Sequence, residues 1–169
     1  GGYLSDPGAG YQFGNLTPLD IHGTYCDSQN KAVFVFEQDE LTRDYVGMAM
    51  AYYQEGAVYS GNNTQTWAWD GPFPSVGSGA SYPHVEYIPE YDKLMVIYRN
   101  NDTDTAVRNY LVCNVVTPVS NVNGSGTDIE IGPMYVLSSN AVDYLYTEYM
   151  SQIKSVGCVF RVPSLSQDQ

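Results

Sequence analysis

Basic side chains are scarce in this chain: seven Lys and Arg stand against 19 Asp and Glu in 169 residues, for a formal charge of −12. Affinity for a phosphate backbone comes from counterions released around Lys and Arg, so the balance argues against a nucleic-acid partner. No apolar run reaches the roughly 18 residues that a bilayer-spanning helix needs, and no secretory signal pattern is present, so no membrane insertion is expected. Only two histidines, His22 and His84, and three cysteines, Cys26, Cys113 and Cys158, occur. The cysteines form no CxxC or other metal-ligand spacing. At most one intramolecular disulfide could form, and buried free thiols are the favoured reading. A Ser/His/Asp set, a phosphate-cradling glycine loop and a Cys/His nucleophile pattern are also missing. The sequence therefore assigns no catalytic residue and no metal ligand, and the chain is expected not to be an enzyme.

What is present points to a folded protein: 43% of the residues are apolar and 16 are tyrosine. An acidic, tyrosine-rich, basic-poor surface suits an extracellular or virion-surface location, although the same charge also serves solubility. The start at Gly1-Gly2 without a methionine suggests a processed product or part of something longer.

The strongest signal is a spacing. Tyr25, Tyr87 and Tyr149 lie 62 residues apart, as do Phe36, Tyr98 and Phe160, and His22, His84 and Tyr146 keep the same step. A period of that length marks a repeated supersecondary unit. The spacing divides the chain into an arm at 1–12, unit one at 13–66, unit two at 67–127 and an incomplete unit three at 128–169. The arm is glycine-rich, with a turn signal at Asp6-Pro7-Gly8. Each full unit reads as four short strands. Residues 40–56 also satisfy a helical spacing through Leu41, Tyr45, Met48 and Tyr52. One period later the chain reads AVRNYLVCNVV, whose β-branched and aromatic content favours a strand, and that reading is carried back to the first copy. The openings WAWDGPFP (67–74) and IEIGPMY (129–135) contain Gly-Pro, and proline restricts them to edge or bulged strands. After Arg161 the counterpart of 44–53 and 106–116 does not appear.

The fold expected is all-β: tandem antiparallel four-stranded units with a period of about 62 residues, forming a partial β-propeller-like structure or a short repeat array. KLMVIYRN after a Tyr-x-x-x-x-Asp turn, together with the IEIGPMYVL type of opening, resembles tandem β-blade repeats of phage tail and fibre proteins and of extracellular proteins from aquatic microbes. The resemblance extends over nearly the whole chain. It implies a structural role rather than a catalytic one, although propellers usually use four to eight blades.

Several smaller constellations have a plainer reading beside the functional one. His22 and His84 sit at equivalent positions on different units, so packing is preferred over a ligand role unless the units surround an axis. Asp102 and Asp104 make an oxygen-rich loop for which calcium is the one conceivable cofactor, but without EF-hand spacing a solvated turn is preferred. Four N-x-[ST] sequons, at Asn15, Asn62, Asn101 and Asn123, fall in or beside turns and are candidate glycosylation sites. Trp67, Trp69 and Tyr82 are candidate sugar-stacking rings, with core packing as the competing explanation.

The function expected is that of a non-enzymatic structural subunit of an extracellular filament or virion appendage. Its partner would be itself, as a homo-oligomer or filament, assembling through an unpaired strand edge that another chain completes. The alternative is a carbohydrate-binding β-propeller-like module, an adhesin or receptor-binding protein, with glycans as partner.

Overall fold

A computed structural model describes residues 18–29, 31–40, 43–54, 57–60, 80–101, 106–118 and 129–163. The protein is all-β, as its composition demands. The strands are β1 (Pro18–Cys26), β2 (Lys31–Glu40), β3 (Arg43–Gln54), β4 (Ala57–Ser60), β5 (Ala80–Ile88), β6 (Lys93–Asn100), β7 (Tyr110–Pro118), β8 (Ile129–Ala141), β9 (Asp143–Met150) and β10 (Ser155–Arg161). They form three antiparallel sheets: β1-β2-β3-β4, β5-β6-β7-β8 and the two-stranded β10-β9. The stretch with competing helical spacing is strand β3, since small and large residues alternate along it and pleating satisfies both.

One expected boundary is crossed by the pairing. Ile129–Ala141, expected to open unit three, is hydrogen-bonded to β7 and completes the second sheet. Its register slips between Asn114/Val116 on β7, where Gly132 and Pro133 fall on β8. This is the bulged edge strand that the Gly-Pro pair requires. Gly132 is needed there, because a Cβ on it would lie 2.9 Å from the Val115 carbonyl oxygen.

The sheets pack face to face through their first strands, β1 on β5 and β5 on β9. Between the first two sheets lies a core in which Val33, Val35 and Met48 meet Val85, Val96 and Val112. Between the second and third, Ile97, Leu111 and Cys113 pack with Val156, Cys158 and Phe160. Each fully buried valine contributes about 1.5–3 kcal/mol. Cys26 and Cys113 are buried, Cys158 is partly so, and all three are free thiols. Burial pushes the Cys113 thiol up to about 11, with Cys158 close by adding to it. One buried polar chain threads the second sheet: the Tyr98 hydroxyl donates to Asn114 Oδ1 at 2.9 Å, and Asn114 Nδ2 donates to the Gly132 carbonyl at 2.9 Å.

The 62-residue step recurs in the backbone geometry. Asp20, Tyr82 and Tyr144 have positive φ (44°, 56° and 51°) although none is glycine. Each lies at a register slip of its hairpin, between Leu19/His22, between Ser81/His84 and opposite Phe160/Arg161. Asp92 and Lys154, also 62 apart, have positive φ in the turns that link β5 to β6 and β9 to β10. Asp92 sits in the turn expected from the Tyr-x-x-x-x-Asp pattern, and Leu94, Val96, Ile97 and Tyr98 after it are buried in the core.

Candidate functional site

A bulge adds a residue to one strand and re-aims the side chains around it. Three bulges at equivalent places on β1, β5 and β9 therefore turn Asp20, Tyr82 and Tyr144 toward a common cleft of about 240 Å³. Ile21, His22, His84 and Leu145 complete its walls. Holding non-glycine residues at positive φ costs of order 1–3 kcal/mol each. The surrounding contacts compensate for that strain. The Tyr82 and Tyr144 rings stack at 6.0 Å and 28°. Arg99 lies over the Tyr82 ring at 4.9 Å, and Arg161, 62 residues on, lies over the Tyr144 ring at 4.5 Å. Asp143 joins the two guanidinium groups, Oδ1 to Arg99 at 3.0 Å and Oδ2 to Arg161 at 3.1 Å.

The histidines do converge. The rings of His22 and His84 are 4.3 Å apart, and Tyr146 meets His84 edge-on at 6.4 Å. Their places in separate units do not keep them apart, because β1, β5 and β9 stack side by side and bring equivalent positions into one row. His22 Nδ1 accepts from the Val85 backbone N–H at 3.2 Å, so its proton resides on Nε2, which lies 3.9 Å from Glu86 Oε1. The Thr147 hydroxyl donates to Glu86 Oε1 at 2.7 Å. Having spent its one proton, Thr147 Oγ1 can only accept from His84 Nδ1 at 3.3 Å. A buried hydroxyl that donates to a carboxylate and accepts from a histidine is not an activated nucleophile. Burial, reinforced by the neighbouring His22, depresses His84 to about 4, against a weaker opposing bond at the Leu145 backbone. The row is a hydrogen-bonded junction between sheets.

Other contacts repeat across the sheets with the same offset. Glu37 of β2 accepts from Ser81 Oγ at 3.4 Å and from the Tyr82 N–H at 3.3 Å. Its counterpart one period later, Arg99 of β6, donates to the Val142 carbonyl at 3.3 Å and to Asp143. Thr24 Oγ1 accepts from the Tyr87 N–H at 3.4 Å. At the hairpin ends Ser28 donates to Asp92, and Tyr149 donates to Glu90. That last bond pulls the Glu90 carboxyl down and raises the Tyr149 phenol to about 12.

Of the sites picked from sequence, Tyr82 lines the cleft, but Arg99 covers one side of its ring. The half-buried Asn101 is held at both ends, its Nδ2 donating to Ser81 Oγ at 2.6 Å and its Oδ1 accepting from Arg99 Nε at 2.7 Å. Asn15, Asn62, Asn123, Trp67, Trp69, Asp102, Asp104 and the arm at 1–12 lie outside the described residues. Among the described residues no three His, Cys, Asp or Glu are grouped so as to hold a metal, and no helix is long and apolar enough to cross a membrane. Sequence reasoning missed the two Arg–Tyr pairs and the bulges. The steps from Tyr82 to Tyr144 and from Arg99 to Arg161 were present in the sequence and would have pointed to them. No family model, curated protein or solved structure matches this chain.

Proposed function

We propose that this protein is a non-enzymatic structural subunit that assembles with copies of itself, as part of an extracellular filament or virion appendage. The observation that carries the reading is the third sheet. In the first two sheets the second strand, β2 or β6, is hydrogen-bonded on both sides. Among the described residues β10 is bonded only to β9. A strand in that state presents a row of donors and acceptors that another chain's strand can satisfy. The glycine-rich arm at 1–12 is the segment proposed to supply that strand. The stacked blades and their 62-residue step support a propeller-like or short-array architecture, and an acidic surface keeps single subunits soluble before assembly.

Electron microscopy and analytical ultracentrifugation of the purified chain test this. Assemblies are expected, with loss of assembly when residues 1–12 are deleted. A truncated chain that assembles unchanged would eliminate the arm as donor, and an intact chain that stays a monomer at high concentration would eliminate the reading.

A second reading, a carbohydrate-binding module, is favoured by one observation: the cleft carries the exposed Tyr144 ring beside Asp20 and His22. Aromatic faces stack on the apolar faces of sugars. Saturable binding on a glycan array that is lost in Tyr144→Ala would support it.

A further inference from the structure

The two internal sheet-to-sheet contacts show what the outer faces of the first and third sheets lack. Positions on the second sheet are buried on both sides, whereas their counterparts at the two ends are open. Toward the first sheet, β5 presents Val85 and Tyr87, 0% and 6% exposed; the equivalent face of β1 carries Tyr25 at 49%, with Ile21 beside it at 61%. Toward the third sheet, β6 presents Ile97 at 0%; the equivalent Val159 on β10 is 72% exposed, and Tyr146 next to it 58%. Alternation along a strand explains why. His22 and Thr24 on β1 face β5, so Tyr25 faces away from it, and Ile21, in the bulge at the rim of the cleft, is 61% exposed. Thr147 on β9 faces β5, and Tyr146, whose ring edge reaches His84 at 6.4 Å, leaves most of its surface exposed on the other side.

We infer that these two faces are halves of one interface, and that the outer face of the third sheet receives the first sheet of a second copy of this chain. The inference rests on the self-assembly reading and names its contact surface. Three features argue for a second copy. The first is continuity: the row His22, His84, Tyr146 runs through both internal junctions, and its next member in a stacked copy is that copy's β1. The second is shape. Where the internal junction sets His22 against Val85, the outer one sets Tyr146 against the Phe34 ring, which covers Gly23 so closely that a Cβ there would lie 2.8 Å from it. The third is charge. Glu37 and Arg99 each reach across to the bulge region of the following sheet, so Arg161, more than half exposed, is aimed at the stretch around Asp20 of the next copy. Asp20 is exposed and acidic. Because the two faces differ, the contact is heterologous, which builds rings or filaments rather than a closed two-fold dimer.

Complementary blocking tests this. Tyr146→Asp places a charge on the third-sheet face and Ile21→Asp on the first-sheet face, and both sites are exposed enough to leave the fold intact, as circular dichroism will verify. Val159→Asp is the second variant for the third-sheet face. In ultracentrifugation the wild type is expected to assemble, each variant alone to sediment as a single 18.7 kDa chain, and an equimolar mixture of Tyr146→Asp and Ile21→Asp to form a two-chain species and nothing larger. Variants that assemble like a self-associating wild type would overturn this interface while sparing the self-assembly reading. A single variant that still forms dimers alone would show a two-fold contact and also overturn it. A wild type that stays monomeric would overturn both.

Discussion

The neutral histidine at the junction of the three sheets makes stability depend on acid in a defined window. His84 is held from its ordinary 6.5 down to about 4, chiefly because burial disfavours the imidazolium and secondarily because His22 is beside it. Around the ring stand His22, the buried Glu86 carboxylate, Thr147 and Tyr146. As pH falls through 6.5 the unfolded chain takes up a proton that the folded chain refuses until about 4. The unfolded state thus binds more protons across that window, and stability, complete above it, drains as pH falls and levels off below. At about 1.4 kcal/mol per pH unit the ceiling is about 3 kcal/mol. The ring is only half-buried, and solvent screening reduces this to about 1–2 kcal/mol. Urea unfolding at about pH 7.5 and about pH 5, which spans about three fifths of that window, should show a midpoint shift of roughly 0.3–0.6 M for wild type. His84→Gln has no proton to gain and still offers Thr147 an amide donor, so its shift should be smaller by most of that amount. Equal shifts in the two proteins would refute the assignment. The Glu90 carboxyl, itself depressed by Tyr149, loses its contribution only at lower pH and does not confuse the comparison.

Three further outcomes follow from the packing. Gly132→Ala drives a Cβ to 2.9 Å from the Val115 carbonyl, a backbone atom that yields little; a loss of about 1–3 kcal/mol by denaturant titration is expected. Tyr98→Phe removes the donor to Asn114 Oδ1 in a site with no solvent access, for about 1–3 kcal/mol. A cycle with Asn114→Leu should be non-additive by more than about 0.5 kcal/mol, and strict additivity would show that the two groups act separately. Arg99→Lys forfeits the planar fork that joins Asp143, the Val142 carbonyl, Asn101 and the Tyr82 ring. Hydrogen exchange in β9 and β10 should accelerate roughly five- to thirtyfold, equivalent to about 1–2 kcal/mol, and unchanged exchange would show that Arg99 does not hold the third sheet.

Much of the fold was legible because similar residues recur along the sequence at a 62-residue step. The 62-residue step identifies strands even where one copy is ambiguous, which is how β3 separates from a helix of the same spacing. Gly-Pro in IEIGPMY announced a bulged edge strand, since proline cannot donate to a ladder. Membership of that strand was not legible. Whether Ile129–Ala141 pairs backward to β7 or forward to β9 is settled by contacts remote in sequence, and β7 offers the longer apolar partner. The bulges were equally hidden, because Asp20, Tyr82 and Tyr144 look like ordinary strand residues and only the register slips force them to positive φ.

The sequence by itself therefore determined the all-β class, the acidic charge balance and the turn at Asp92, all of which follow from local patterning and composition. Tertiary structure alone decided that His22 and His84 meet, that Arg99 and Arg161 each cap a tyrosine, and that one cleft forms where three bulges align. Those outcomes depend on how one sheet's first strand stacks on the next, a distance that periodicity along a single chain does not encode.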